Sequence, residues 1–410
     1  APGMWLVYAQ AYYSKSIKYT VIELRLPREV RKTPRAMEQV WTAIHALRNS
    51  PAPTPRLGML KEKWWDGEIT QRFTAEMASF GGEIHFYMHV PENKRIMLEA
   101  ALYSQYQDLE LAVVEDYVNR MPKTYAKLKE RGYQLYGNEL VLSRPDVFPI
   151  RTFVDFEAVA EEKELDPISG VLEMMAKIRP QEMMWLQIVT APLVDNFITR
   201  WVEEGQEAIN KIKAKARTTI DPETGQLVFT MPSPAETDQI KAIDRNVGRP
   251  GFNVVIRYLW IARKEDYSGS FGQRSLYSAL NQYATETFNK FKHKVWVWTR
   301  VSWWYMPFFF PEKRLTLRRE RIWKRYRERK IYDDTTLGKA VDMQFFNWGG
   351  GGKNITLNTE ELATIFHLPT QLVLTAPLVK RVEAKKGGPP AGLAIYGGEE
   401  EELPGIKSNF

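Results

Sequence analysis

Cysteine is absent from the 410-residue chain. The sequence therefore excludes disulfides, a thiolate nucleophile and cysteine-ligated zinc or iron–sulfur sites, and it fits a reducing compartment. Histidine is scarce. His85 and His89 share one face of a strand but lie about 13 Å apart along an extended chain, which is too far to hold one metal ion. No metal site is therefore expected.

Catalytic and nucleotide-binding motifs are absent as well. The chain has no G-x-S-x-G, HExxH or EF-hand pattern. Four glycines precede Lys353, but a phosphate-binding loop needs glycine where Asn347 stands and Ser or Thr where Asn354 stands. The sequence therefore predicts no catalytic residues, no cofactor and no enzyme. An enzyme whose pocket the sequence does not reveal stays open as a third functional class.

Long apolar runs are also missing. None reaches the ~18–20 residues that a membrane-spanning helix needs, and no tripartite signal peptide is visible. Residues 4–9, Met-Trp-Leu-Val-Tyr-Ala, fit two interpretations, the last turns of a membrane helix or a simple N-terminal strand. The 13 tryptophans indicate an aromatic surface that meets a partner or a membrane.

Positive charge is concentrated in one stretch of the chain. The net charge is +7, and residues 313–330 hold ten Lys and Arg residues against two glutamates. The rest of the chain is therefore close to neutral. The ten basic residues are Lys313, Arg314, Arg318, Arg319, Arg321, Lys324, Arg325, Arg327, Arg329 and Lys330.

Aromatic residues precede this basic stretch, and the combination allows three interpretations. In the first, the aromatic side chains lie at a bilayer interface while Lys and Arg contact anionic headgroups. In the second, the basic helix binds nucleic-acid phosphates. In the third, the helix is solvated and its aromatic lead packs in a core. The aromatic residues at the membrane interface would be Trp303, Trp304, Tyr305, Phe308, Phe309 and Phe310.

Hydrophobic periodicity between residues 19 and 116 predicts the order β-α-β-β-α-β, which is the split βαβ of ferredoxin-like folds. Thr33-Pro34 is typical of a helix start. Glycines 81 and 82 indicate the turn of a hairpin. A helix over 94–106 is predicted to bury Ile96, Ala100 and Tyr103. The buried stripe of the first helix is predicted to be Met37, Val40, Trp41, Ile44 and Leu47.

The same order of elements is predicted to recur later in the chain. Its strands are expected at Phe148–Glu157, Met183–Thr190, Phe252–Ala262 and Val295–Trp298, and its helices from Asp166-Pro167 and over Ser270–Phe288. Two charged helices flanking a short hairpin form an insertion between the second and third of these strands. A helical piece at 117–132 and a hairpin around Tyr136-Gly137-Asn138 precede the set.

The predicted fold class is α+β, with two tandem ferredoxin-like modules, a helical insertion and a basic helical C-terminal region. The predicted divisions are a membrane-proximal segment 1–15, module 1 at 16–120, a connector 121–147, module 2 at 148–300 with its insertion 195–247, an aromatic and basic helical segment 301–345, and a C-terminal linker region 346–410 with a short helix 358–368.

Five stretches resemble a known module. They are IELRLPREVRKTPRAMEQVWTAIHAL (22–47), FGGEIHFYMHVPE (80–92), LYSQYQDLEL (102–111), LNTEELATIFHLP (357–369) and VEAKKGGPPAGL (382–393). The chain resembles the uncharacterised N-terminal module, a domain of unknown function, that precedes the DNA-translocating ATPase in type IV secretion and conjugation-like proteins of uncultured bacterial lineages. The resemblance implies a position on the cytoplasmic face of the inner membrane, after N-terminal membrane helices.

The functional prediction follows from this resemblance. It implies a non-catalytic, membrane-proximal scaffold that docks a translocation ATPase, contacts the membrane surface and forms a homo-oligomer. Because the chain has no Walker A or B motif, the resemblance does not carry ATP hydrolysis over to it. The alternative is a nucleic-acid-binding module that uses residues 313–330.

Overall fold

The structure is a computed structural model that describes twelve ranges of the chain. They are residues 2–27, 32–48, 61–159, 166–216, 219–220, 227–228, 232–285, 287–295, 297–300, 310–332, 354–369 and 381–382. Within these residues the protein is a mixed α+β structure built around one large antiparallel sheet.

The strands of the antiparallel sheet are β1 (Tyr19–Pro27), β2 (Phe73–Phe80), β3 (Glu83–Pro91), β4 (Glu110–Val114), β5 (Tyr133–Leu142), β6 (Met183–Pro192), β9 (Gly251–Arg263), β10 (Phe291–His293) and β11 (Ile355–Asn358). β7 (Thr219–Ile220) and β8 (Leu227–Val228) pair as a separate hairpin. A short strand, β12 (Arg381–Val382), pairs in parallel with the end of β1.

The α-helices are α1 (Pro2–Ser16), α2 (Pro34–Ala46), α3 (Arg95–Gln105), α4 (Tyr125–Glu130), α5 (Phe153–Val159), α6 (Ser169–Ala176), α7 (Asp195–Ala216), α8 (Pro234–Val247), α9 (Gly269–Leu280), α10 (Pro311–Arg327) and α11 (Thr359–Ile365). Single turns of π- or 3₁₀-helix lie at Glu62–Asp66, Glu92–Lys94, Tyr117–Arg120 and Asn281–Tyr283. None of the helices in the described ranges is both long and apolar enough to cross a membrane.

The sheet has the strand order β10-β5-β9-β6-β2-β3-β1-β4, and β11 adds to the free part of β9. The first four strands of the chain therefore form one half and the later strands the other. The halves meet where β2 pairs with β6, from Phe73 opposite Thr190 to Phe80 opposite Met183. In the first half, β2 lies at this junction and β1 lies between β3 and β4. In the second half, β6 lies at the junction and β5 lies between β9 and β10.

One face of the sheet is covered by α2, α3, α6, α9 and α11, whose apolar side chains form the larger core. The predicted stripe of α2 is confirmed at Met37, Val40, Trp41 and Ile44, which are all fully buried. Leu47, its fifth predicted member, follows the end of the helix and is half-buried. Helix α11 packs against α2 of the first half and α5 of the second. It therefore connects the two halves on this face.

The opposite face carries α10, α4 and the turn at Tyr117–Arg120, which form a second core. Trp185 of β6 packs against Trp323 and Tyr326 of α10, with ring centroids 5.9 and 5.6 Å apart. A Cβ atom at Gly137 would lie 2.6 Å from Leu259 Cδ2 and 3.0 Å from Ile322 Cδ1. Glycine at this position therefore allows α10 to approach the sheet closely.

Two predicted strands are wrong. Residues 153–159 form helix α5, and the strand that opens the second half is β5, which lies inside the predicted connector. Gly137 and Asn138 indicated a turn in the sequence, but they lie in mid-strand and have tertiary roles there. Asn138 bonds to His293, with 2.6 Å between Nδ2 and Nδ1. The closing strand is β10 at residues 291–293, ahead of the predicted Val295–Trp298.

Three further predictions about helices need correction. Helix α3 buries Leu98 and Leu102, whereas Ile96 and Tyr103 are 77% and 43% exposed and Ala100 is exposed too. Helix α6 begins at Ser169, beyond Asp166-Pro167. Residues 4–9 lie in α1, so the strand interpretation is wrong.

Other local predictions are confirmed. They are the hairpin β2–β3, the two helices and hairpin of the insertion, and the short helix near 358–368.

Candidate functional site

A row of polar side chains crosses the middle of the sheet on the face that α10 covers. Glu139 of β5 lies opposite Arg257 of β9, which lies opposite Gln187 of β6, which lies opposite Glu76 of β2. These four side chains are at most 1% exposed. Burial of charges at this depth is costly unless every group is paired and hydrogen-bonded.

Hydrogen bonds connect this ionic row from end to end. Arg257 Nε donates to Glu139 Oε1 at 2.8 Å, and its Nη1 donates to Gln187 Oε1 at 3.4 Å. Gln187 Nε2 donates to Glu76 Oε1 at 2.9 Å and to the Tyr326 carbonyl at 3.0 Å. The amide of Gln187 therefore links the charges of the two halves across the junction.

Arg329, just after α10, closes the row at Glu76. Its Nε and Nη2 donate to the two oxygens of Glu76 at 2.8 and 3.0 Å. Its Nη1 and Nη2 donate to the Asp116 carboxylate at 2.7 and 3.0 Å. The guanidinium is thus held on two sides by bidentate pairs, the strongest geometry for this interaction. The residue has a φ of 47°, and its side chain enters the sheet from this left-handed position.

The other end of the row is organised around Glu139. Lys294 Nζ lies 3.2 Å from its Oε2, and the Tyr332 hydroxyl lies 2.7 Å from its Oε1. Arg325 in turn donates to the Tyr332 hydroxyl at 2.8 Å. Burial raises the pKa of Glu139, but Lys294, Arg257 and Arg325 more than offset this effect, so the pKa lies below its ordinary value.

On the far side of Glu76 the same line of residues continues through Tyr87 to Glu23 of β1. The Glu23 carboxylate lies 2.8 Å from His85 Nδ1 and 3.0 Å from Arg25 Nε. The hydrogen bond from His85 lowers the pKa of Glu23 to about 2, and Arg25 adds to this effect against the cost of burial.

The structure buries five of the ten predicted basic site residues: Arg314, Arg318, Arg319, Arg325 and Arg329. Arg318 donates to the carbonyls of Val295, Trp298 and Arg300. Arg319 donates to the hydroxyls of Tyr125 and Tyr267. The guanidinium groups of Arg318 and Arg319 therefore face protein acceptors and do not contribute to a surface for headgroups or nucleic acid.

The other predicted residues are distributed differently. Arg321, Arg327 and Lys330 are half-buried, and Lys313 and Lys324 are exposed. Arg327 also donates inward, to the carbonyl of Met121 at 3.2 Å. Phe310 is 60% exposed. The remaining predicted interfacial residues, Trp303, Trp304, Tyr305, Phe308 and Phe309, lie outside the described residues.

The ionic row itself was missed at the level of sequence, although a signal for it exists. Gln187 interrupts the apolar strand Met183–Pro192, and Arg257 interrupts the apolar strand Gly251–Arg263. A polar side chain in a strand that is buried on both faces needs a buried partner. Two such residues therefore predict partners on neighbouring strands, but not that α10 supplies them.

A second polar cluster fixes α11 on the opposite face. Asn358 and Glu361 form a capping box at its start, and Glu361 also accepts from the Ile150 N–H at 3.0 Å. Glu360 binds Arg245 Nη2 at 2.5 Å and Arg249 Nη2 at 2.7 Å.

His367, beyond the end of α11, belongs to the same cluster. Its Nε2 lies 2.7 Å from Asp166 Oδ1, and its Nδ1 lies 2.7 Å from the Ala363 carbonyl. This contact gives the Asp166 carboxylate a tertiary partner ahead of α6.

The domain-of-unknown-function family DUF8128 matches residues 10–381, a range that includes both halves of the sheet, the ionic row, α10 and α11. The chain belongs to the DUF8128 family. No curated protein matches it.

The ionic row of this DUF8128 chain holds α10 and the residues after it against the sheet. Each of its carboxylates accepts from at least two donors, and α10 with the residues after it supplies Arg325, Arg329 and Tyr332. Among the described residues no group of three or more His, Asp or Glu side chains is placed to hold a metal ion. What the geometry supports is attachment of the basic helix to the junction of the two halves.

We expect Arg329→Met to lower the free energy of unfolding by about 3–5 kcal/mol, because it leaves the buried charge of Glu76 without its main partner. Urea unfolding measures this change. Lys324→Met removes one positive charge from the exposed side of α10 and should change the free energy by less than about 0.5 kcal/mol. Equal small effects of the two variants would show that the pairing of Arg329 with Glu76 contributes little to stability.

We expect Glu23→Gln to reduce the loss of stability in acid. A folded-state pKa lowered to about 2 means that the carboxylate stabilises the fold above its ordinary pKa of 4.5, and that this contribution is lost as pH falls from there towards 2. Unfolding of wild type and variant should differ by roughly 2 kcal/mol at neutral pH and converge in acid. Glu110→Gln, which removes the exposed partner of Arg25, is the control and should leave the acid profile unchanged.

Proposed function

We propose that this chain is a non-catalytic, membrane-proximal assembly platform of a type IV secretion-like or conjugation-like machine, on the cytoplasmic face of the inner membrane. The observation that carries the membrane-proximal part is an aromatic surface on α1. The link to a secretion machine and to its translocation ATPase rests on the sequence resemblance.

Helix α1 presents large apolar side chains to solvent along one side. Met4, Tyr8 and Tyr12 follow one another at four-residue steps and are 73%, 63% and 70% exposed. Trp65, on the neighbouring π-helical turn, is 72% exposed, and its ring lies 6.1 Å from that of Trp5. Tyrosine and tryptophan side chains of this kind are enriched where a protein meets the headgroup layer of a membrane.

This aromatic surface has a fixed position on the protein. Trp5 Nε1 donates to the Trp64 carbonyl at 2.7 Å. A Cβ atom at Gly67, which has a φ of 67°, would lie only 2.3 Å from the carbonyl carbon of Ala9. The helix backbone therefore lies directly against Gly67. Strand β1 starts three residues after α1 ends, so contacts made by α1 would orient the sheet with respect to a membrane.

The nucleic-acid alternative is less well supported. Of the basic residues that it invokes, five are buried, and four of these, Arg318, Arg319, Arg325 and Arg329, donate to protein groups. The exposed ones among those described in 313–330 include Lys313 and Lys324. Replacing Arg318, Arg319 and Arg325 by alanine would remove internal contacts, so a loss of DNA binding in such a variant would reflect lost stability as much as lost phosphate contacts.

We also propose that the two halves of the sheet are tandem ferredoxin-like modules. The matching positions of their strands, with the second strand of each at the junction, support this interpretation. In this proposal a duplicated unit became one rigid platform, with α10 and α11 connecting its halves on opposite faces. Such a platform suits a component that positions other subunits, including further copies of itself.

The membrane-proximal proposal predicts that the protein floats with phosphatidylglycerol-containing vesicles in a density gradient. Replacing Tyr8, Tyr12 and Trp65 by alanine should reduce the floating fraction at least about fivefold, because these side chains supply the exposed aromatic surface. The matched control replaces Ile96, Met97 and Tyr103, which are exposed apolar side chains of α3. Wild-type protein that stays at the bottom, or a control that detaches as completely, would contradict the proposal.

The docking proposal predicts that the protein co-purifies with the translocation ATPase of its own machine at a defined ratio. Because a platform binds through its folded surface, complex formation should survive Lys313→Ala and Lys324→Ala and should be lost in the destabilised Arg329→Met variant under mild denaturant. Size-exclusion chromatography with light scattering gives the ratio and the oligomeric state. No complex at micromolar concentrations would argue against ATPase docking.

A further inference from the structure

Three hydrogen-bonding atoms near the Arg329 end of the ionic row are buried and without partners. They are Arg72 Nε, Thr74 Oγ1 and His89 Nδ1, none of which has a hydrogen-bond partner within the described part of the chain. Thr74 is fully buried and His89 is 9% exposed. Buried polar groups are satisfied in the great majority of cases, so three in one cluster call for a partner that the described residues do not supply.

These atoms belong to one cluster. Thr74 of β2 lies directly opposite His89 of β3, which places their Cβ atoms about 5 Å apart. Arg72 precedes Thr74 by two residues and so shares its side of the chain. Tyr19 completes the cluster, because its ring stacks on His89 with centroids 4.7 Å apart and lies 5.2 Å from Arg72 Cζ.

The cluster has an excess of positive charge. The carboxylate of Glu76 is occupied by Arg329 and Gln187, and no carboxylate among the described residues pairs with Arg72. Burial lowers the pKa of Arg72, Tyr19 opposes this effect and Arg329 adds to it. Burial also lowers the pKa of His89, as do Arg329 and Arg72. A largely buried guanidinium without a counter-ion is costly, and an anion would remove that cost.

We propose that Arg72, Thr74 and His89 form a binding site for a phosphate group. The guanidinium N–H and the threonine hydroxyl donate to phosphate oxygens, and the neutral Nδ1–H tautomer of His89 would add a third donor. The phosphate can be free in solution or part of a lipid headgroup. A lipid headgroup as the source rests on the membrane contact proposed above for α1. Tyr19 of the cluster lies three residues beyond the end of that helix.

Inorganic phosphate tests the site without any membrane. In calorimetric titration and thermal unfolding, phosphate should bind wild-type protein and raise its Tm by about 2 °C or more relative to chloride at equal ionic strength. Arg72→Met and the near-isosteric Thr74→Val should each weaken binding at least about tenfold. Arg274→Met removes an exposed arginine on α9 and should bind like wild type.

Vesicles distinguish the two sources of phosphate. If the ligand is a headgroup, Thr74→Val should reduce flotation with phosphatidylglycerol vesicles and leave any flotation with phosphatidylcholine vesicles unchanged. If it is free phosphate, Thr74→Val should lose phosphate binding and float like wild type. Phosphate binding that persists in the α1 aromatic variant would support the site even if the membrane-proximal proposal fails.

The site is ruled out if neither inorganic phosphate nor phosphatidylglycerol depends on Thr74 and Arg72. That outcome would mean that water satisfies the cluster. Because Thr74→Val keeps the shape of the side chain, it is expected to fold even where Arg72→Met does not, and circular dichroism checks both variants.

Discussion

The pairing of Arg329 with Glu76 and Asp116 is the interaction on which the assembled structure depends most. Glu76 lies on β2, at the junction of the two halves, and Asp116 lies beyond β4 in the first half. Gln187 carries the connection from Glu76 to the second half. Since an unpaired buried charge is strongly destabilising, the chain that follows α10 is held to the sheet by the same groups that hold the two halves together.

The ionic row changes the interpretation of the basic helix. A run of Lys and Arg commonly lies on a solvated surface or contacts phosphates, and both were reasonable expectations from the sequence. The structure instead directs Arg318, Arg319 and Arg329 into the protein, where carbonyls, hydroxyls and carboxylates receive them. Residues 313–330 therefore expose fewer positive charges to a partner than their composition suggests. The exposed aromatic surface of α1 becomes the clearer candidate for contact with a membrane.

Much of the local structure was predictable because its signals are local. The hairpin at Gly81 and the stripe of α2 each depend on a few neighbouring residues, and both predictions are confirmed. Strand β5 was missed because Gly137 and Asn138 serve contacts with α10 and with His293, which lie far away in sequence. The buried face of α3 was wrong because Ile96 and Tyr103 have the right spacing, yet Leu98 and Leu102 face the sheet. The ionic row combines four strands and one helix, so no single segment reveals it.

The central claim is that the basic helix is fixed from within by the charges of the sheet. A double-mutant cycle on Glu76→Gln and Arg329→Met, followed by urea unfolding, tests this claim most directly. The cycle should give a coupling energy of about 2 kcal/mol or more, because each variant alone leaves the other buried charge without its bidentate partner across the pair. A coupling energy within about 0.5 kcal/mol of zero would contradict the claim.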